Sequence, residues 1–573
     1  MLQVQTFPQD LGNVDVDRKQ MRRCLFTGLF EETVEVGQTT RTFYTYLKPG
    51  LVYNQPCLVV APPDNVPVLE YLEHSPWMAL AEAHDLFLHV LVPAPQGWDL
   101  GGADADYMNQ VYVQINSRHG YVVVQDNIYA FGVGRGATVA QQAVMKMSSE
   151  WSGLATFGDL APQALLNVHT AAGAVSTEKS ELIIAGTKVQ VPVWMAWEEN
   201  AGTNAAVCDY WKTTNDSNPE PYSNRWADEV YFPSVVCKKS QINEEKISQV
   251  RVTNHFEGAP QKDFLEAVWA YLGRACRHRC FGTKALRNRI APEAYGFTHH
   301  TMELDGFTRV WYEYVPERVQ ASGKPVPLVV CLHGRGSSAE CFMSLADMSR
   351  VAEERDFILL YPESSIHQQR PGAVRNLLRW NGNYKGQPID DVNFVLEVIA
   401  DIKTRWPIDP TRIYACGQSS GGVMASTLAQ RAPDVFAAVA CWSGLLTPGK
   451  LQLPERIDSA VPFLFLLGEK DWLCVDTENG ELEYHVVKNI AAFLRNLMQL
   501  YGLRAVPKRY DCGEISYYVY PNEKQIPLLI VGTVRDMSHA NYPAESWYSY
   551  DGFLSKFSKT SDGTLLYMGE PAL

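Results

Sequence analysis

One serine in the chain sits where nucleophilic chemistry would need it. Gly417-Gln418-Ser419-Ser420-Gly421-Gly422 lies between the β-branched run RIYAC and the helix-forming run VMASTLAQ. In a strand-to-helix turn, G-x-S-x-G holds the serine backbone in a strained conformation that projects Oγ above a sheet. Glycines two before and two after let neighbouring chain pass close without a Cβ. The helix that starts there aims backbone N–H groups at an oxyanion. The same letters would also suit a plain Gly/Ser-rich turn. What separates the two readings is whether a base and an orienting acid follow in the right places.

A serine needs a base, and the base needs a carboxylate. On this kind of sheet the order along the chain is Ser, then Asp or Glu, then His. Downstream of Ser419 stand His485 and His539. His485 falls in GELEYHVVKNIAAFL, in or at the start of a helical pattern, which suits a structural or surface residue. His539 follows a strand and a polar turn in LLIVGTVRDMSHANYP, which suits a loop-borne base. For the acid, Asp471 follows the apolar run FLFLLG in the turn GEKDW, with Asp476 and Glu469 as competitors. An oxyanion hole needs a second N–H from the turn after an earlier strand. LVVCLHGRGSS supplies it, placing Gly334 and Arg335 opposite Ser420, with the amides of Arg335 and Ser420 as donors. His333 in that turn is expected to brace it rather than to act as a base. Trp380, Trp442 and Trp472 lie near these turns, so an aromatic acyl group is a plausible substrate.

These residues need a scaffold, and the sequence describes it twice. TRTFYTY (40–46) pairs with TRVWYEY (308–314), and CLVVAPPDN (57–65) with PLVVCLHGR (327–335). ADYMNQVYVQIN (105–116) pairs with DDVNFVLEVIAD (390–401), and IYAFGVGRGATVAQ (128–141) with IYACGQSSGGVMAS (413–426). VPVWMAWEEN (191–200) pairs with VPFLFLLGEK (461–470). The offsets run 268, 270, 285, 285 and 270, a spread of loop size. A tandem duplication explains them; two unrelated α/β domains sharing strand-and-turn chemistry is the alternative. Continuous apolar runs alternating with amphipathic segments predict an α/β fold, a mainly parallel sheet flanked by helices in each copy. The expected domains are 1–285 and 286–573, with the join inside 277–296.

Composition narrows the classes. At 46% hydrophobic and 20% charged, the 573-residue chain reads as globular rather than disordered, collagenous or coiled-coil. Its 50 basic and 64 acidic residues, net charge −14, argue against a nucleic-acid partner or an anionic membrane surface. No apolar stretch reaches the roughly 18 residues of a transmembrane helix. The start, MLQVQTFPQDLGNVDVD, has neither a basic nor an apolar leader region, so a cytoplasmic location is expected. Twelve cysteines show no ladder of spacings, and Cys276 and Cys280 around His278 lack the rest of a four-ligand cage. No metal or organic cofactor is expected.

The segments LHGRGSS, YPES, RWNGN…DDVNFV, GQSSGGVMA, LLGEKDW and MSHANYP together resemble the polyhydroxybutyrate depolymerase and feruloyl esterase-like branch of the α/β-hydrolases. The resemblance covers roughly residues 300–560. It implies the same roles for Ser419, Asp471 and His539, and oxyanion amides near Arg335 and Ser420. It also makes Trp380 and Asn381 candidate substrate contacts, in a stretch reading Leu378-Arg379-Trp380-Asn381. A buried structural role for Trp380 stays open. Family members often carry a cysteine there, and its absence removes a disulfide seen in secreted ones. Trp472, beside the acid, is a third candidate contact.

Aligned on the second copy, the first lacks the machinery. Gly134 falls opposite Ser419, Ala201 opposite Asp471, and Pro63-Asp64 opposite His333-Gly334, while His255 aligns loosely with His539. The first half is therefore expected to be a non-catalytic scaffold that covers the site, shapes its pocket or mediates homo-oligomerisation. The reading that follows is a serine carboxylic-ester hydrolase acting on hydroxycinnamoyl, hydroxyalkanoate or aromatic polyester substrates. A serine peptidase on the same scaffold and a non-catalytic binding or assembly protein are the rivals.

Overall fold

Short apolar runs with no polar alternation become strands buried on both faces, and here they build two sheets of the same design. The computed structural model describes residues 2–8, 17–116, 127–168, 171–177, 180–235, 246–277, 286–367, 377–381, 389–444, 460–471, 495, 497–504, 506–542 and 544–573. In the first half the main strands are β1 (Gly28–Val36), β2 (Thr39–Leu47), β3 (Cys57–Ala61), β4 (Phe87–Leu91), β5 (Ile128–Val133), β6 (Gly153–Phe157), β7 (Val193–Ala196) and β8 (Val250–Thr253). In the second they are β9 (Phe297–Leu304), β10 (Phe307–Tyr314), β11 (Val326–Leu332), β12 (Ile358–Pro362), β13 (Ile408–Gln418), β14 (Ala438–Trp442), β15 (Phe463–Gly468) and β16 (Leu529–Val534).

The sheet orders are β1-β2-β4-β3-β5-β6-β7-β8 and β9-β10-β12-β11-β13-β14-β15-β16. In each, an antiparallel hairpin leads into a run of parallel strands. Val4–Thr6 and Glu229–Tyr231 extend the first sheet at its edges, and Ile515–Tyr520 and Lys508–Cys512 extend the second. Helices cross between the strands. They include α1 (Ala103–Asn116) and α2 (Arg135–Lys146) in the first half, and α3 (Asp391–Arg405) and α4 (Ser420–Arg431) in the second. This is the α/β-hydrolase arrangement, present twice.

The structure corrects the register between halves. Ala61 faces Gly132 in the β3–β5 pair, and Leu332 faces Gly417 in the β11–β13 pair. Position 332 less 61 gives an offset of 271, where the sequence alignment uses 270. Pro62 thus stands opposite His333, Pro63 opposite Gly334 and Asp64 opposite Arg335. A strand buried on both faces carries no in/out alternation, so nothing in its letters fixes a one-residue shift.

A buried motif recurs in both halves. Arg41 of β2 pairs with Asp104 of α1, and the other Asp104 oxygen accepts from the Asp99 amide at 2.7 Å. Arg309 of β10 pairs with Asp391 of α3 at 2.6 Å, and Asp391 accepts from the Asn381 amide. Each guanidinium lies over an aromatic ring one helical turn along, Tyr107 at 4.2 Å and Phe394 at 3.9 Å. Trp98 donates its indole N–H to the Pro62 carbonyl, and Trp380 donates to that of His333, both at 2.8 Å. The helices therefore stand 287 residues apart (391 less 104), not 285.

Other expectations are refined. Residues 339–355 form two helices, Ala339–Ala346 and Met348–Arg355, broken at Asp347 with φ 54°. β9 and the 508–520 hairpin have no counterpart in the sequence reading; β9 is largely exposed and Lys508–Cys512 wholly so, which leaves neither with an apolar run. The segment 485–494 and residues 278–285 of the join lie outside the described residues. Among the described residues no helix is long and apolar enough to cross a membrane, and no cluster of side chains is arranged to hold a metal ion.

Candidate active site

Strand β13 delivers Ser419 into a sharp turn with φ 52° and ψ −116°, immediately before α4. A non-glycine residue held there costs about 1–3 kcal/mol, so the surroundings must impose it. Ser419 N–H donates to the Trp442 carbonyl at 2.8 Å, and its own carbonyl accepts from Val423 at 3.0 Å. Helix α4 leaves so close to β11 that a Cβ on Gly421 would lie 2.0 Å from the Leu332 carbonyl oxygen. Only glycine permits that approach.

The acid and base arrive on adjacent strands. Asp471 follows β15 and is fully buried, while His539 follows β16 and its side chain is 22% exposed. Their loops are tied together: Lys470 N–H donates to Met537 O and Glu469 N–H to Val534 O, both at 2.9 Å. Asp536 N–H donates to the Glu469 carboxylate at 3.0 Å, and Lys470 pairs with Asp536 at 2.7 Å. The result is a continuous chain. His539 Nδ1 lies 2.9 Å from Asp471 Oδ2, and His539 Nε2 lies 3.0 Å from Ser419 Oγ. With Nδ1 protonated toward the carboxylate, Nε2 is left as the acceptor for the serine proton. Of the competitors, Glu469 is engaged in loop bracing, and Asp476 and His485 lie outside the described residues.

The turn after β11 abuts this elbow. A Cβ on Gly334 would meet Gln418 Oε1 at 2.5 Å, and Arg335 beside it is exposed. Ser420 is the first residue of α4, where amides have no partner within the helix. The structure thus brings Gly334, Arg335 and Ser420 to the same end of the sheet as Ser419. His333 is wholly buried, which lowers its pKa to about 4 and keeps it neutral. Its Nδ1 meets Gly334 O at 2.8 Å and its Nε2 accepts from Ser364 N–H at 3.1 Å, so it braces the turn.

The aromatic candidates divide differently. Trp380 is buried, its one N–H committed to the His333 carbonyl. Asn381 is also buried, its amide donating to Ile389 O at 2.9 Å. Trp380 thus braces the turn after β11, and Asn381 ties its own segment to Ile389 and, through its backbone N–H, to Asp391. Trp442 is fully buried beneath the elbow, with its indole on Ser549 Oγ at 2.9 Å, and is core rather than pocket wall. Trp472 lies outside the described residues.

The first half has the same turn with a glycine in the serine's place. Gly134 has φ 57° and ψ −128°, and its N–H donates to Phe157 O at 2.8 Å. Asp64 and Arg135 occupy the positions of Arg335 and Ser420, and their side chains pair at 3.1 Å across that turn. Arg135 also donates to Trp98 O at 3.1 Å, and Asp64 accepts from Trp98 N–H at 3.0 Å. Ala201 follows β7 where Asp471 follows β15, and His255 is exposed in the loop after β8.

Residues 312–451 match the esterase PHB depolymerase family. The chain is 34% identical over 155 residues to feruloyl esterase B of Thermothelomyces thermophilus, covering 26% of this chain and 48% of that protein. It is 33% identical over 135 residues to feruloyl esterase B of Talaromyces funiculosus, covering 23% and 36%. The chain spans about half or less of the length of these relatives. Among solved structures, the acetyl xylan esterase from Aspergillus awamori aligns over 42% of this chain and 94% of its own, at 14% identity and a TM-score of 0.32. The second half is polyhydroxybutyrate-depolymerase-like and feruloyl-esterase-like in sequence, as its motifs suggest.

Proposed function

We propose that the protein is a serine carboxylic-ester hydrolase working through an acyl-enzyme. The observation that carries this reading is the unbroken Asp471–His539–Ser419 hydrogen-bond chain on a strained elbow. Ser419 Oγ attacks the ester carbonyl as His539 Nε2 takes its proton. Asp471 fixes the imidazole tautomer and favours the imidazolium. The oxyanion of the tetrahedral intermediate is received by the amides of Arg335 and Ser420. His539 then protonates the leaving alcohol, and a water activated by the same nitrogen releases the acid.

Relatives named as feruloyl esterases point to a hydroxycinnamoyl ester as the first substrate to try. The first half is the non-catalytic partner in this reading, because glycine replaces the nucleophile and the Asp64–Arg135 pair spans the turn where an oxyanion would bind. Turnover of aryl acetate, aryl butyrate, methyl ferulate and a hydroxybutyryl ester by wild type and Ser419→Ala tests it. Hydrolysis that survives the substitution, or a wild type inert to all four, would sink the proposal. Faster turnover of matched aryl amides than of the esters would replace it with a peptidase.

A further inference from the structure

Among its contacts with the second half, the first half reaches the turn between β11 and the helix Ala339–Ala346. Two short segments of the first half lie side by side, with Tyr53 N–H donating to Arg22 O at 2.7 Å and Cys24 N–H to Leu51 O at 2.8 Å. They present Arg22 and Asn54 to the second half.

The Arg22 guanidinium is almost completely buried between two carboxylates. It forms a fork with Glu340, at 2.9 Å to each oxygen, and its Nε reaches Glu363 at 3.0 Å. Glu340 belongs to the helix that closes the turn. Glu363 precedes Ser364, whose amide holds the His333 ring that opens it. Glu363 also accepts from Ala339 N–H at 3.4 Å. Asn54 holds the middle, its side-chain amide donating to Gly336 O at 3.3 Å while its backbone carbonyl receives the Cys341 thiol at 3.8 Å. Gly336 N–H in turn donates to Leu378 O at 2.8 Å, and Leu378 is buried within the first half's own hydrophobic core. Burial would raise the Glu340 carboxyl, but Arg22 with its hydrogen bonds, helped by Tyr312, brings it down to about 2. Without Arg22, at least one negative charge would be buried in this wall with no cation beside it.

We infer that Arg22 and Asn54 are positioning residues that hold the oxyanion turn, and with it the Arg335 amide, in its working place. The inference rests on the ester-hydrolase reading. It gives the first half a role in catalysis without a reacting atom of its own. The turn is gripped at its start through Glu363 and His333, at its middle through Asn54, and at its end through Glu340, in each case from outside the catalytic half. An oxyanion donor displaced by a fraction of an ångström contributes to neither binding nor folding, yet it lowers the rate.

The test compares full-length wild type with Arg22→Met, Arg22→Lys and Asn54→Gly, the last preserving the positive φ of 64° at that position. Each is assayed with an aryl ester and the matching thionoester, whose sulfur fits an oxygen-shaped hole poorly. For Arg22→Met and Asn54→Gly, kcat on the ester falls roughly 10- to 100-fold with KM little changed. The ester-to-thionoester preference falls with it, and Arg22→Lys recovers part of both. Variants that fold with wild-type kcat and preference, or that lose only melting temperature, would overturn the inference. If Arg22→Met does not fold, Asn54→Gly decides alone on the same readouts. A wild type that hydrolyses neither substrate overturns the ester-hydrolase reading instead.

Discussion

Gly134 and Ser419 share one backbone conformation, φ 57° and ψ −128° in the first against φ 52° and ψ −116° in the second. Each donates its N–H to the carbonyl closing the next strand, Phe157 or Trp442, at 2.8 Å. Each stands before a helix whose second residue, Gly136 or Gly421, lies against the end of the strand at the sheet centre. The turn's shape is thus a property of the scaffold. Where no nucleophile is present, the residue that bears this conformation without strain occupies it.

That relationship predicts a stability cost for the nucleophile. Ser419→Ala and Ser419→Gly both remove the hydroxyl and should both be inactive. They differ in strain, since alanine keeps a Cβ in a region only glycine adopts freely. Ser419→Gly should be the more stable by about 1 kcal/mol, after allowing for glycine's larger unfolded-state entropy. Urea unfolding of the pair measures the difference; equal midpoints would mean the elbow is relaxed.

Asp471 should act through the tautomer of His539. Asp471→Asn keeps the shape but offers the ring an amide, which allows the proton to move to Nε2, where it blocks proton acceptance from Ser419. By analogy with other serine triads kcat should fall by about 10⁴ near neutral pH with the fold intact. Steady-state kinetics with an aryl ester checks it. A loss of less than tenfold would show that the 2.9 Å contact does not govern the base.

How much of this was legible in the sequence follows from what each residue type needs. Ser419, Asp471 and His539 each sit in a turn with a type-specific signature, so chain order alone singles them out as candidates before any coordinates. Strand existence was readable from apolar runs, but the register between copies was one residue off at β3 and β11 and two at α1 and α3. Fully buried strands carry no alternation, and helix entry depends on loop length. The resemblance marks Trp380 and Asn381 as candidate substrate contacts, but burial cannot be read from letters: both are buried, and the Trp380 indole braces the turn at His333. Arg22 and Asn54 carried no signal at all. Their partners lie 318 and 282 residues away, and neither an Arg beside Arg23 nor an Asn in a turn before an apolar run stands out from a surface residue.

Two buried groups give stability opposite pH slopes. Burial lowers His333 to about 4, below its unfolded value, so the unfolded chain binds the extra proton between about pH 4 and 6.5 and stability rises with pH there. Burial raises Glu545 to about 8, against the pull of hydrogen bonds from Asn541 and the Tyr542 amide. Here the folded state holds the extra proton, so from the unfolded carboxyl value up to about pH 8 stability falls as pH rises. Glu545→Gln should flatten the slope between about pH 6.5 and 8, whatever its absolute stability. Unfolding free energies of wild type and variant across that window check it, and parallel curves would contradict the raised carboxyl.

The repeated arginine–aspartate pair should not be equally important in the two halves. Arg309 and Asp391 are both fully buried, whereas the Arg41 side chain is 20% exposed above a buried Asp104. Removing Arg309 strands a carboxylate that also anchors the Asn381 amide, next to the residue bracing the oxyanion turn. Arg309→Met should therefore cost about 3–5 kcal/mol and lower ester turnover in the fraction that stays folded. Arg41→Met should cost clearly less, because water can reach the vacated side, and should leave kcat unchanged. Denaturant unfolding with activity measured on the folded fraction separates the two. A larger loss in Arg41→Met would mean that the first half, rather than the catalytic half, sets the stability of the pair.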